Sequence, residues 1–284
     1  MATQRNSTMM TISDQEFNSL RQLIYDRFGI NLTDEKRSLL VGRLQKMIRT
    51  QQLDSFQNYC DHLKTDNSGK AVSDLINLVS TNYTYFNREK DHFEYFQKTA
   101  LPAVCEQLKK QNRKDLRVWC AGCSTGEEPY TLLMLMHEHL GGQYSSWDAG
   151  ILATDISENV LAKAQAGKYE ADKVASLPET LRRKYFNKLP DGKMQVCDAL
   201  RREVTFRRFN LMNKTFPFKK PFQIIFCRNV MIYFDQQTRN ALVQRFNNSM
   251  EPNGYFFIGH SETLGRDSEL FRYLMPAAYK KGKV

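Results

Sequence analysis

The 284-residue chain has no long apolar run. Its longest strongly apolar stretch lies around Leu132–Met136, well short of the roughly 20 residues that a membrane-spanning helix requires. The opening residues, MATQRNSTMMTISDQEF, lack the apolar h-region of a secretory leader. Neither export nor direct membrane insertion is therefore expected, and a cytoplasmic location is. Metal chemistry is short of ligands as well. The chain holds one C-x-x-C, at Cys120 and Cys123, with no second one and no His pair at usable spacing. His137 and His139 stand two apart on a helix and point roughly 200° from each other, so no metal is expected. No Gly-Lys-Ser/Thr completes a Walker loop, and the full G-x-G-x-x-G dinucleotide fingerprint is missing. No internal repeat or low-complexity tract occurs.

What is present suits a globular chain. Hydrophobic residues make up 41% and aromatics 12%, enough to fill a core and to exclude disorder of the whole chain. Six scattered cysteines read as small buried hydrophobes in a reducing compartment. A net charge of +10 points to an acidic partner.

Residues 1–80 read as a small all-helical domain. Ser13 and Glu16 form a capping-box signature, and Phe17, Leu20, Leu23, Ile24 and Phe28 follow at helical spacing until Gly29. A second helix is predicted over Asp34–Arg49, then shorter ones over Ser55–Lys64 and Val72–Val79. The pattern changes in 81–284. Strands are predicted at Leu116–Ala121, Gly150–Thr154, Val204–Phe209, Phe222–Cys227 and Tyr255–Gly259, with helices at Glu127–Leu140, Glu158–Ala166 and Gln236–Met250. Such alternation implies an α/β fold with a doubly wound, mostly parallel sheet. Residues 168–202 break it with a short helix, Pro178–Phe186, and a hairpin around Pro190-Asp191-Gly192, read as a small antiparallel β insertion.

The stretch VWCAGCSTGEEPY, residues 118–130, carries two competing readings. A dithiol site places W-C-x-x-C between a strand and a helix, as here. A redox domain would however be compact, whereas the strand pattern runs on, and Glu127 and Glu128 would raise a thiol pKa rather than lower it. The alternative is a cofactor loop: Gly122 and Gly126 where backbone approaches a ligand, a helix start tolerant of Pro129, and Asp155 closing the next strand, where its carboxylate can accept two ribose hydroxyls. The acidic pair argues against a pyrophosphate and for a ligand with a positive group. S-adenosylmethionine fits, with its ammonium, sulfonium and ribose.

The segments NYTYFNRE (82–89), AGCSTGEEPY (121–130), ATDIS (153–157), FNLM (209–212) and IFCRNVMIYFD (225–235) together resemble the chemotaxis receptor methyltransferases, the CheR family. The resemblance spans nearly the whole chain. It implies a Rossmann-like methyltransferase domain and methyl transfer from S-adenosylmethionine to glutamate side chains on the cytoplasmic helical bundle of chemoreceptors, leaving S-adenosylhomocysteine. It also implies cofactor contacts at Asn82, Thr84, Arg88, Glu128, Asp155, Asn210, Leu211, Arg228 and Asn229, with Glu128 at the methionine ammonium and Asp155 at the ribose. Arg88 and Tyr233 match residues placed beside the reactive methyl, and Arg43 matches a basic residue implicated in catalysis. Cys120 and Cys123 fall where the family has small residues, and Gln223 is not among the carried-over contacts.

A glutamate carboxylate, with an ordinary pKa of about 4.3, is already a nucleophile near neutral pH. The chemistry therefore needs alignment and desolvation rather than a general base, and Arg88 and Tyr233 suit a single-point hold on one carboxylate oxygen. Blander readings remain open at each position. Arg88 fits a surface charge, Tyr233 a core residue, Asp155 a helix N-cap, Glu128 a partner of the helix dipole, and His260 a structural histidine.

Residues 36–49 hold Lys36, Arg37, Arg43, Lys46 and Arg49 with no acid among them. This face is either simply solvated or a docking surface for a glutamate-rich receptor helix, through Lys36, Arg43, Lys46 and Arg49. A second basic region, 178–220, has twelve Lys/Arg against four acids. Its hairpin lacks a longer glycine-rich turn, so tethering of a receptor tail peptide is not expected. A nucleic-acid substrate is disfavoured, because Cys227-Arg-Asn-Val has no proline where exocyclic-amine enzymes carry one. A monomer is expected.

Overall fold

The computed structural model describes residues 10–265 and 268–282. Most of the amino-terminal stretch read for a leader thus lies outside the described residues. No described helix is long and apolar enough to cross a membrane. The chain divides into two units, Met1–Thr81 and Asn82–Val284.

In the first unit the capping box forms: the Ser13 hydroxyl accepts from the Glu16 amide at 3.2 Å, and the Glu16 carboxylate accepts from the Ser13 amide at 2.7 Å. They open α1 (Asp14–Phe28), which ends at Gly29 in the left-handed conformation, φ 69°. The expected second helix begins later. Residues Asp34–Lys36 form a tighter 3-10 turn, and α2 runs Arg37–Thr50. Lys36 therefore belongs to that turn and not to the helix that carries Arg43 and Lys46. The helices α3 (Phe56–Thr65, capped by Ser55) and α4 (Lys70–Val79) complete the unit. Phe17, Leu20, Ile24, Leu44, Ile48, Phe56, Tyr59 and Leu75 fill its core.

The second unit starts with helices that the sequence reading missed: α5 (Lys90–Tyr95) continues through a π-helical turn, Phe96–Ala100, into α6 (Leu101–Lys110). Then come β1 (Asp115–Ala121), α7 (Glu127–Leu140), β2 (Asp148–Asp155) and α8 (Glu158–Ala166). The insertion holds β3 (Lys168–Tyr169), α9 (Ala171–Val174), α10 (Glu179–Tyr185), β4 (Phe186–Lys188), β5 (Met194–Val196) and α11 (Asp198–Glu203). Its strands form a three-stranded antiparallel sheet ordered β3-β5-β4, as the hairpin signal implied. The chain returns through β6 (Val204–Arg208), β7 (Phe222–Phe226), α12 (Gln236–Asn248) and β8 (Met250–Phe257). It closes with β9 (Phe271–Met275) and β10 (Ala278–Lys281), which the sequence reading also missed.

The main sheet has seven strands ordered β6-β2-β1-β7-β8-β10-β9. The pairs β1/β2, β2/β6, β1/β7 and β7/β8 are parallel, and β10 runs antiparallel between β8 and β9. The chain leaves β1 towards β2 and β6, then returns to β7 on the other side. That reversal opens a crevice beyond the carboxyl ends of β1 and β7, where such sheets bind ligands. Behind it Trp119 of β1 is ringed by Phe209, Phe216, Phe218, Phe222 and Phe246 at centroid distances of 4.7 to 5.8 Å, and its indole N–H donates to the Thr154 hydroxyl at 2.9 Å. This aromatic core makes β1 and β2 a rigid floor for the residues at their ends.

Gly122 follows β1 at φ +86°, and a Cβ there would stand 2.4 Å from Cγ2 of Val230. Its glycine thus answers first to protein packing. Gly122→Ala is expected to cost about 2–5 kcal/mol in urea unfolding, combining left-handed strain with overpacking. Adding Val230→Ala should recover part of that loss, and a single-variant cost near zero would contradict the packing.

Candidate functional site

Beyond the sheet's carboxyl edge the structure gathers residues 82–90, the 122–128 turn, Asp155, the 209–212 turn after β6 and the 227–233 loop after β7. Four of these residues that are not glycine occupy the left-handed region: Asn87 (φ 63°), Glu89 (56°), Ser124 (47°) and Asn229 (58°). Such conformations cost energy and persist where surroundings over-determine them, which is common at functional sites.

Asp155 anchors one end. It is 8% exposed, and its two oxygens accept backbone N–H groups of Ser124 (2.9 Å) and Ser157 (3.0 Å). Ser157, not Asp155, is the N-cap of α8, so the cap reading of Asp155 fails. Burial pushes the Asp155 pKa up, and the two N–H bonds oppose it. A carboxylate has about four acceptor sites, so each oxygen retains capacity for a hydroxyl. The Ser124 hydroxyl donates to the Asn82 carbonyl at 3.0 Å, drawing the 82–90 segment to this corner. The Phe209 amide donates to the Asp155 carbonyl at 2.9 Å, which brings Asn210 and Leu211 beside it. Asn210 closes its own turn, its side-chain oxygen accepting from the Met212 amide at 2.9 Å.

Arg228 anchors the other end. Its side chain is 2% exposed. It donates from Nη1 to Glu128 at 2.7 Å, from Nη2 to Glu89 at 2.9 Å, and also from Nη2 to the Arg88 carbonyl. Its guanidinium also stands 5.2 Å from the Phe93 ring centroid. Burial works against the charge, but Glu128 and Glu89 outweigh it and leave the Arg228 pKa raised. Two carboxylates around one guanidinium leave a net charge of about −1. Glu128 is thus an ion-pair partner as well as a first-turn acid of α7. Glu127 is fully buried, takes a 2.6 Å bond from Thr125, and has its pKa pushed up by burial.

Glu89 was not singled out from the sequence, although it lies inside NYTYFNRE. Its carboxylate also accepts from Asn229 Nδ2 at 3.1 Å. Glu262, in the GHSE stretch where only His260 drew notice, is 7% exposed and collects the amides of Asn229 (2.9 Å), Ile232 (3.1 Å) and Gly259. That shapes the loop carrying Tyr233, which is half-buried while its neighbours Met231 and Phe234 take the core positions. His92 is buried neutral, its pKa pushed down to about 4 by burial and by Arg228, with Nε2 bonded to the Pro276 carbonyl at 3.2 Å. His260 pairs with Asp91 at 3.0 Å, in keeping with its structural reading. Glu89, His92 and His260 place ligand-type atoms within 4.8 Å of one another. Yet both Glu89 oxygens already serve Arg228 and Asn229, so a cation would sit against a guanidinium.

Arg88 is half-buried, and its Nη1 donates to the Tyr83 carbonyl at 2.9 Å. Thr84 is half-buried one residue beyond Tyr83. Arg43, Lys36, Lys46 and Arg49 belong to the first unit. There Arg43 Nη1 donates to the Leu78 and Val79 carbonyls at 3.0 and 3.1 Å, capping the end of α4. Arg37 is turned to Asp14 and the Ile12 carbonyl, whereas Lys46 and Arg49 are exposed.

The chain matches the family models described as CheR methyltransferase, all-alpha domain, over residues 15–80, and CheR methyltransferase, SAM binding domain, over residues 82–279. The chain belongs to the CheR methyltransferase family. The chemotaxis protein methyltransferase of Borreliella burgdorferi is 41% identical over 272 residues, covering 96% of each chain. That of Escherichia coli (strain K12) is 34% identical over 277 residues, covering 96% of this chain and 93% of the other. This CheR-family protein is therefore an S-adenosylmethionine-dependent chemotaxis methyltransferase. Its residues fit that cofactor on their own terms: a buried carboxylate with spare acceptor sites at Asp155, and a second carboxylate, Glu128, in the first turn of α7.

The cysteine pair that competed with this reading is inert. Cys120 and Cys123 are buried free thiols. Burial first, then Glu128 for Cys120 and Asp155 for Cys123, pushes their pKa values well up. Cys120 donates its thiol to Glu128 at 2.8 Å. Iodoacetamide at pH 8 should label Cys197, the one cysteine that is not buried, and leave the other five largely unmodified by mass spectrometry. Fast labelling of Cys120 or Cys123 would restore the dithiol reading.

Proposed function

We propose that the chain transfers the methyl group of S-adenosylmethionine to glutamate side chains on the cytoplasmic helices of chemoreceptors. The products are glutamate methyl esters and S-adenosylhomocysteine, formed in the adaptation step of bacterial chemotaxis. The observation that carries the glutamate reading is Arg88, a half-buried cation held through one Nη to the Tyr83 carbonyl. A guanidinium has five N–H donors, so a second one can hold a single carboxylate oxygen.

The cofactor supplies an electrophilic methyl on a sulfonium. Asp155 receives the ribose hydroxyls, and Asn210 and Leu211 flank the adenosine. Glu128, oriented by Arg228, receives the methionine ammonium, with Asn82, Thr84, Gly122 and Asn229 around it. Arg88 and Tyr233 orient the acceptor carboxylate, which needs no base because it is ionised near neutral pH. Holding one oxygen leaves the other to attack in line. A tight bidentate clamp would instead stabilise the ground state. Positioning of this kind is worth roughly 7–11 kcal/mol when the bound geometry is near-attack. Lys36, Lys46 and Arg49 offer the acidic receptor a separate docking face. Arg43 shapes that face by capping α4.

The decisive experiment incubates the protein with methyl-labelled cofactor and a receptor cytoplasmic fragment, then maps base-labile label. Label on helix glutamates is expected, and none on any acidic side chain would overturn the proposal. Arg88→Ala should lower turnover at least a hundredfold while changing S-adenosylhomocysteine affinity less than about fivefold. Equal losses in both would remove Arg88 from the acceptor side.

A further inference from the structure

Among the described residues, the second unit leaves three large apolar side chains exposed: Tyr83 (72%), Tyr85 (41%) and Ile232 (44%). All three border the residues assigned above to the acceptor. Tyr83 supplies the carbonyl that holds Arg88, Tyr85 is two residues further on, and Ile232 precedes Tyr233. The two segments are fastened to each other, since Arg228 donates to the Arg88 carbonyl and Asn229 to Glu89.

Burial alternates along residues 82–86. Asn82 and Thr84 are half-buried and Phe86 is fully buried, while Tyr83 and Tyr85 stand exposed on the opposite side. Phe86 is clamped edge-on by Tyr169 at 4.8 Å and Phe186 at 5.6 Å, so the extended segment cannot roll to bury the tyrosines. The Tyr83 and Tyr85 rings lie 5.8 Å apart, tilted by 57°. Side chains three or four residues apart on a helix are separated by about 5–6 Å, so the ring spacing matches one turn of a helix. Exposed tyrosines beside a buried polar site are the composition of a binding hot spot rather than of a solvated rim.

We propose that Tyr83 and Tyr85, with Ile232 across the Arg88–Tyr233 site, form a lip that docks the helix carrying the acceptor glutamate. The rings contact apolar side chains on successive turns, and the glutamate between them reaches Arg88. Charge complementarity fixes the occupant: a cation flanked by apolar rings selects a helix on which a carboxylate is flanked by apolar residues. The inference rests on the receptor-glutamate reading and adds to it the surface that selects which glutamate enters.

The test uses the full-length protein and a receptor cytoplasmic fragment. Tyr83→Ala with Tyr85→Ala should raise the fragment's KM about tenfold, with S-adenosylhomocysteine affinity within twofold of wild type. Tyr83→Phe with Tyr85→Phe, which keeps the rings, should restore KM. Independently, a photo-reactive phenylalanine analogue at position 83 should crosslink within about two helical turns of a methylated glutamate. Unchanged KM in the alanine variant, or crosslinks far from every methylated glutamate, would overturn the lip. So would loss of cofactor affinity in both variants, because the tyrosines would then serve the cofactor pocket. Wild-type protein that labels no glutamate would instead sink the functional reading beneath it.

Discussion

A guanidinium with 2% of its side chain exposed keeps its charge on burial, so nearby carboxylates must replace the water it has lost. Arg228 meets that requirement by drawing Glu128 from the start of α7 and Glu89 from the 82–90 segment onto itself, and by taking the Arg88 carbonyl as well. Three stretches far apart in sequence are thereby fixed to one group. Removing one member of such a buried cluster typically costs 3–5 kcal/mol, because the remaining charges are stranded. The Arg88 backbone and the Glu128 carboxylate are set by these hydrogen bonds, and the left-handed turn at Asn229 is held beside them by Glu89 and Glu262.

The arrangement also separates two electrostatic tasks. Under the proposed function, the negative charge left on Glu128 and Glu89 serves the cofactor side. Under that reading the positive charge of Arg88 serves the acceptor side, and its tether is the neutral Tyr83 carbonyl. Glu127 and Glu262 lie outside this division, since burial pushes both their pKa values up and backbone or hydroxyl donors occupy them.

Much of this was legible in the residues. Helical spacing and the Ser13 capping box gave the first unit, and the alternation of apolar strands with helices gave the parallel sheet with its small antiparallel insertion. What escaped has physical reasons. The strands β9 and β10 are short and half-polar; β10 is held by β8 on one side, and β9 joins the sheet only through β10. The helices from Lys90 to Lys110 contain a π-helical turn, which disrupts the 3.6-residue period. In the site, Asp155 and Glu128 could be named because they sit beside glycine turns and strand ends. Arg228 could be named, but its burial could not be foreseen. Glu89 collects Arg228 from 139 residues away and Glu262 the amides of Asn229 and Ile232 from 33 and 30 residues away, and nothing in their neighbours announces it. Gly122 was read for a ligand's approach, and its nearest requirement proves to be the Val230 methyl.

The central claim is that Arg228 holds the three segments of the site as one unit, and native-state hydrogen exchange on Arg228→Met tests it most directly. Methionine keeps the volume and removes the charge. The account expects amide protection to fall together across 82–92, 122–130 and 227–233, while β2 and α8 keep theirs, with S-adenosylhomocysteine affinity reduced at least about tenfold. Loss of protection confined to 227–233, with cofactor affinity retained, would contradict it.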